Sequence, residues 1–200
     1  MIPIKSERDL RIMRKSCEIA ANVLDEICRL AAPGVSTWEL DRAAKRIMEK
    51  HHCRSAEYKY KCGSLRYPGY VCISVNDQVI HGIGSKDRIL KDSDIVSFDC
   101  ATIFQGFVGD NTRTVYIGEP SPEVRRLVET TAEALNLGIE MARPGNRVGD
   151  ISAAIQRHVE SRGFGVVREF TGHGVGRSMH EEPEVPNFGR AGTGPVLRPG

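Results

Sequence analysis

Apolar residues recur at three- and four-residue intervals early in the chain, at Leu10, Met13, Cys17, Ala20, Leu24, Ile27 and Leu30. That spacing predicts an amphipathic helix, opened by a Ser6–Asp9 box and ended by Pro33-Gly34. A second helix follows Ser36, with Glu39 as its box partner and Leu40, Ala43, Ala44, Ile47 and Met48 as its apolar face. The pattern then changes. YVCISV, DIVSFDCATIF and TRTVYIG are short, rich in β-branched and aromatic residues, and bounded by Gly, Asn and Asp, so they read as strands. Helical spacing returns in SPEVRRLVETTAEALNLGIEMARPG, with Ser121 as N-cap and Pro122 at the first helical position. A fourth helix is expected over Val148 to Arg162, with Gly163 as its stop.

LAAPGVSTWELDRAAKRIMEKHHC and MARPGNRVGDISAAIQRHVESRGF align at an offset of 111 residues, placing Leu40 on Ile151, Ala43 on Ala154 and Met48 on Val159. The alignment suggests two halves, about 1–118 and 119–200, each of helix, helix and strands, within one domain over residues 1–200. Helix pairs followed by antiparallel strands give an α+β class, a sheet backed by helices on one face.

A formal charge of +2 argues against a dedicated nucleic-acid binder. The start, MIPIKSERDL, has no apolar h-region and no run is long enough to cross a bilayer, so the expected location is the cytoplasm. The six cysteines have no CxxC pair and read as free thiols.

DIVSFDCATIFQGFVGDNTRTVYIG reads as a hairpin turning near Phe104 to Gly106. A turn on Phe104-Gln105 sets Asp99 opposite Asp110; a turn on Gln105-Gly106 makes them diagonal neighbours on the same face. Two ionised carboxylates so close repel, which a shared proton or a cation between them would relieve. An edge strand with both aspartates in water is the bland alternative. With Phe98, Cys100 and Val108 around the pair, metal binding is the favoured expectation.

Of the six histidines, His51 and His52 end a charged helix and read as solvated, and His158 reads as structural. His81, in VNDQVIHGIG, is expected at the end of a strand before a Gly-rich turn. His173 and His180 lie in TGHGVGRSMHEEPEVPNF, where Gly172, Gly174 and Gly176 disfavour a helix and let backbone approach a ligand. GHGVG has neither phosphate-loop spacing, and HEEPE is not a zincin motif. Two aspartates with a histidine, and no thiolate, form a ligand set suited to Mn, Fe, Co or Zn. Paired carboxylates with histidine also suit a two-metal hydrolase.

VCISVNDQVIHGI, FDCATIFQGFVGDNTRT and FTGHGVGRSMHEEPEVPNF, in that order and spacing, closely resemble type I methionine aminopeptidase of the bacterial form. The resemblance implies the pita-bread fold and removal of the initiator methionine from nascent proteins by two divalent ions (Co, Mn, Fe or Zn). It implies Asp99, Asp110 and His173 as metal ligands. His81 would contact the substrate near its amine and scissile peptide, and His180 would stabilise the developing oxyanion. Tyr67 and Cys72 match pocket positions, while Met179 stands where an aromatic residue is usual, and GSLRYPGY lacks the family's GY-x-G-aromatic pattern. Two further glutamate ligands, the first in a TIEP-like strand, are not among the 200 residues, so the resemblance implies a chain truncated at its C-terminus, with the last part of its sheet missing. The implied partners are N-terminal methionine peptides and a transient ribosome contact, with no specific nucleic acid, no membrane and a monomeric state. The competing readings are a proline-specific aminopeptidase and a non-catalytic pita-bread protein.

Overall fold

Ser36 sets the frame of the N-terminal helices. It is extended (φ −81°, ψ 149°), its side chain accepts from the Glu39 amide, and the Glu39 carboxylate accepts in return from the Ser36 amide. This reciprocal cap separates α1 (Glu7–Leu30) from α2 (Thr37–Lys50) where the residue pattern predicted. The molecule, a computed structural model, is described over residues 1–200 apart from the side chain of Cys62. After α2 come three two-residue strands, β1 (Arg54–Ser55), β2 (Lys61–Cys62) and β3 (Leu65–Arg66), then β4 (Cys72–Val75), β5 (Ile95–Phe104) and β6 (Phe107–Tyr116). Helices α3 (Pro122–Met141) and α4 (Val148–Ser161) and strands β7 (Thr171–Gly174) and β8 (Glu181–Pro186) complete the order.

The chain divides into two compact units. The first comprises Arg8–Ser121 with Gly176–Met179; the second comprises Met1–Glu7, Pro122–Val175 and His180–Gly200.

In the first unit β5 is the central strand. β6 runs antiparallel along one of its edges, and β1 and β4 share the other edge end to end, β1 opposite Thr102 and Ile103 and β4 opposite Val96 to Asp99. An edge position for the aspartate-bearing β5 is thereby excluded. The hairpin turns on Gln105 and Gly106, both at positive φ (48° and 81°), so the second of the two expected registers holds. Alternation along β5 sends Val96, Phe98 and Cys100 into a core with Ile19, Val23, Leu24 and Ile27 of α1 and Leu40, Ala44 and Ile47 of α2. Ser97, Asp99 and Ala101 point to the other face. The expectation that Phe98 and Cys100 surround the aspartates is therefore corrected: strand periodicity puts them on the opposite side of the sheet.

Gly109 of β6 lets α1 come close. A Cβ there would lie 2.3 Å from the Ser16 carbonyl carbon and 2.4 Å from the Cys17 nitrogen. Ser16 is fully buried and donates to the Phe107 carbonyl at 3.0 Å.

In the second unit α3 and α4 pack together through small residues. Gly138 would place a Cβ 3.0 Å from Ile155. His158 is hydrogen-bonded to Glu133 at 2.9 Å, in keeping with a structural role. Strands β7 and β8 pair with a bulge at His173/Gly174, and β8 lies against α4. Five cysteines, at 17, 28, 53, 72 and 100, are free thiols; the reading of Cys62 lies outside the described side chains. No helix among the described residues is long and apolar enough to cross a membrane.

Candidate metal centre

Register places the two aspartates. Asp99 faces Thr112 across the hairpin and Asp110 faces Ala101, so the carboxylates are diagonal on the sheet face turned away from the helices. The Thr112 hydroxyl donates to Asp99 Oδ1 at 2.7 Å, fixing that carboxylate and leaving Oδ2 available to another partner. Ser97 and Thr114, one rung further on, are hydrogen-bonded to each other at 2.7 Å, so this face is polar along its length.

Glu57 joins the two aspartates, and no sequence pattern pointed to it. It follows β1 at the gap that β1 and β4 leave on the edge of β5. There its Oε1 accepts from the Ala101 amide at 3.1 Å and its Oε2 accepts from the Ser55 hydroxyl at 3.0 Å. The side chain is 2% exposed. Burial, and then the neighbouring Asp99, push its carboxyl well above the usual carboxylate range. The only hint in the sequence is an acidic residue between Ala56 and Tyr58, which alone suggests a solvated turn.

Cys72 pairs with Asp99 across β4 and β5, and the ligating atoms of Glu57, Cys72 and Asp99 all lie within 4.8 Å of one another. A thiol thus stands beside the aspartate, where a thiolate-free set was expected. Burial, and then Glu57, push the Cys72 thiol up to about 12, so it is a neutral, apolar wall of the site.

His81 is not at a strand end. β4 stops at Val75, Asn76 turns the chain at φ 56°, and His81 is exposed in an irregular segment at φ 59°. Its neighbour Gly82 fastens the segment back on β4: the Ile73 amide donates to the Gly82 carbonyl at 2.8 Å, and the Gly82 amide donates to Ser74 Oγ at 3.1 Å. A Cβ at Gly82 would lie 2.1 Å from the Ile73 carbonyl oxygen, so only glycine permits this approach. The Tyr67 hydroxyl also donates to the Gly82 carbonyl, at 2.6 Å, placing Tyr67 in the same cluster as Cys72 and the His81 segment. Burial and then Cys72 push its phenol upward, which keeps it neutral.

In the second unit the bulge after His173 brings the His173 and His180 rings to 4.2 Å between centroids, tilted at 55°. His173 Nδ1 lies 3.1 Å from the Gly174 carbonyl. Where Nδ1 carries the proton and donates there, Nε2 is the unprotonated ring nitrogen. Gly174 lies against β8, where a Cβ would lie 2.5 Å from the Glu182 carbonyl oxygen. Met179 is half-buried.

Carboxylates gather on one sheet face of the first unit, and two imidazoles pair in the second; both are ligand types that divalent metals take. The model of metallopeptidase family M24 matches residues 11–200, and the chain belongs to that family. Within it, the chain is similar to methionine aminopeptidases. It is 47% identical to that of Clostridium perfringens, covering 100% of this chain and 78% of the relative, and 44% identical to that of Escherichia coli K12, covering 100% and 74%. The solved methionine aminopeptidase of Thermotoga maritima superposes with a TM-score of 0.93 at 39% identity, over 99% of this chain and 78% of that one. The Pyrococcus horikoshii prolidase superposes less closely, with a TM-score of 0.79 at 25% identity, over 98% and 52%. The fold is the α+β pita-bread fold, and the chain spans about three quarters of the length of the methionine aminopeptidases it resembles.

Proposed function

We propose that this chain is a metal-dependent aminopeptidase that releases the initiator methionine from nascent proteins. The observation that carries the reading is identity of 41% to 47% with proteins named methionine aminopeptidase, along nearly the whole chain. The more distant superposition on prolidase makes proline-specific cleavage the second reading.

Asp99, Asp110 and His173 are the proposed ligands of two divalent ions, Mn, Fe, Co or Zn. The donor set suits them: carboxylate oxygens and an imidazole are hard and borderline ligands. One Asp99 oxygen is already oriented by Thr112, and the charges of Asp99 and Asp110 help to raise the Glu57 carboxyl, a repulsion that bound cations would relieve. Ions bound there would lower the pKa of a water and draw charge from the scissile carbonyl.

The chain's own residues do the rest. His180 donates a hydrogen bond to the scissile carbonyl oxygen, where negative charge develops. His81 contacts the substrate at its amine and scissile nitrogen. Tyr67, Cys72 and Met179 line the methionine side-chain pocket, where sulfur and aromatic groups pack well against a thioether. The reading also takes the chain as one domain of two related halves, cytoplasmic and monomeric, meeting its peptide substrates in transient contact with the ribosome.

The test is methionine release from Met-Ala-Ser with Mn, Co or Fe. It is run on this chain and on a chimaera extended with the C-terminal part of the Clostridium perfringens relative that lies outside the match. Release by the chimaera, abolished by His173→Ala, is expected. A folded, metal-loaded chimaera that releases proline-flanked residues but no methionine decides for the second reading.

A further inference from the structure

Away from the carboxylate cluster, the outer face of α2, the segments on either side of the β2–β3 hairpin and Lys86 build a ladder of aromatic rings and cations. Tyr58 and Tyr70 stack with centroids 4.3 Å apart and planes 7° from parallel. The Arg42 guanidinium lies 4.8 Å from the Tyr70 ring and 5.8 Å from that of Trp38. Lys45 lies 5.6 Å from Tyr70, Lys59 5.1 Å from Tyr58, and Lys86 4.9 Å from Trp38. Five such contacts share this one patch, whereas Arg126–Phe164, Arg168–Phe188 and Arg177–Phe107 elsewhere each involve a separate ring. The rings are also accessible: Trp38 and Tyr58 are each 37% exposed, and Tyr60 39%. Beside them Trp38, Arg42, Lys45 and Arg46 line an open hollow of about 400 Å³. The carboxylates of this region are engaged. Glu39 is held by Ser36, Asp41 is buried under Arg42 and the Tyr70 and Val71 amides, and Glu49 pairs with Lys45 at 3.5 Å.

We propose that this face binds single-stranded RNA without sequence preference. Cations interleaved with accessible rings suit a strand whose phosphates meet Arg and Lys while its bases stack on aromatic faces. A duplex hides those base faces, and an acidic protein offers charge but nothing to stack. The oxygens of Glu39 and Glu49 outside those pairings, Oε1 and Oε2 respectively, lie on the rim of the hollow as acceptors for a ribose 2′-hydroxyl, a donor that DNA lacks. The whole-chain charge of +2 does not oppose this, because the cations are concentrated locally. The proposal is independent of the hydrolytic reading.

Trp38 is the chain's only tryptophan, so its fluorescence reports on this patch alone. The experiment titrates the protein with a labelled twelve-nucleotide uridine-rich RNA, reading anisotropy and Trp38 emission. Matched single-stranded DNA, duplex RNA and polyglutamate are the other arms. Single-stranded RNA is expected to quench Trp38 and bind several-fold more tightly than the rest. Its affinity should fall about twentyfold between 50 and 200 mM salt, as for roughly three phosphates neutralised. Tyr58→Ala and Lys86→Glu should each weaken it about tenfold. Arg157→Glu on α4, an equal change of charge elsewhere, should leave it unchanged. Absence of Trp38 quenching overturns the proposal, as does equal loss on Arg157→Glu. Equal binding of DNA or duplex removes the RNA assignment, and equal binding of polyglutamate makes the partner an acidic protein.

Discussion

Asp99 and Asp110 stand one rung apart on the same face of the β5–β6 hairpin, diagonal across the ladder, with Thr112 opposite the first and Ala101 opposite the second. The Gln105-Gly106 turn fixes this offset, and a cation bridging the two carboxylates would remove their repulsion. Adding Mn or Co should therefore raise the melting temperature. At a hundredfold excess over Kd the gain is about 2.7 kcal/mol, roughly 5–10 °C for a chain of this size. Asp110→Asn should abolish the metal-induced rise in scanning calorimetry while leaving the metal-free protein at least as stable. An undiminished rise in the variant would show that Asp110 is not a ligand.

Glu57 gives the metal-free protein a pH dependence of defined sign. Its carboxyl ionises near the ordinary 4.5 in the unfolded chain and well above that in the fold. The folded state therefore keeps this proton longer, and stability falls as pH rises from the unfolded value towards the folded one. Glu57→Gln can still accept from Ala101 and can donate to Ser55, without ionising. In chelator-treated protein the variant should melt with wild type below pH 4.5 and above it at higher pH. A difference that stays constant between pH 4 and 8 would count against the buried-acid account.

The α2 cap should show as stability alone. Ser36→Ala leaves the Glu39 amide without its acceptor, at a cost of about 1 kcal/mol, roughly 2–4 °C in melting temperature. Ser36→Thr should recover most of it, because its hydroxyl accepts the same bond and still donates to Glu39 Oε2. Equal destabilisation by Ala and Thr would place the effect in local packing instead.

Gly109→Ala is expected to be among the most damaging small substitutions in the first unit. The added methyl meets the backbone of Ser16 and Cys17 rather than a flexible side chain, so α1 must move off β6. A loss of more than about 3 kcal/mol in denaturant unfolding is expected, in the range of severe overpacking. A loss under about 1 kcal/mol would mean that the α1–β6 contact gives way easily.

The four long helices and the β5–β6 hairpin were legible in the sequence because their signals are local: the Ser36–Glu39 box, Pro122 after Ser121, and period-two alternation about Phe98. The hairpin register was legible only as a pair of options. Gln105 takes positive φ without being glycine or asparagine, so composition did not mark it as a turn position. His81 was placed on a strand end because an apolar run precedes it; the chain instead leaves β4 at Asn76, and Gly82 is held by contacts from a distant tyrosine. Glu57 was not legible at all. Its importance comes from a gap between two strands that are 16 residues apart in the chain and meet only on β5.

That shared edge has an evolutionary consequence. Because β1 and β4 occupy one side of β5 in tandem, everything from Ala56 to Val71 is an excursion that leaves the ladder and returns to it. Insertions or deletions there need change neither the strands paired with β5 nor the register of the strand that carries Asp99. The excursion holds Glu57 next to that aspartate, sets Tyr67 on the Gly82 carbonyl, and displays Tyr58, Lys59 and Tyr60 to solvent. Asp99 and Asp110 thus sit on a fixed hairpin frame, while Glu57 and the tyrosines around it lie on a segment free to vary in length.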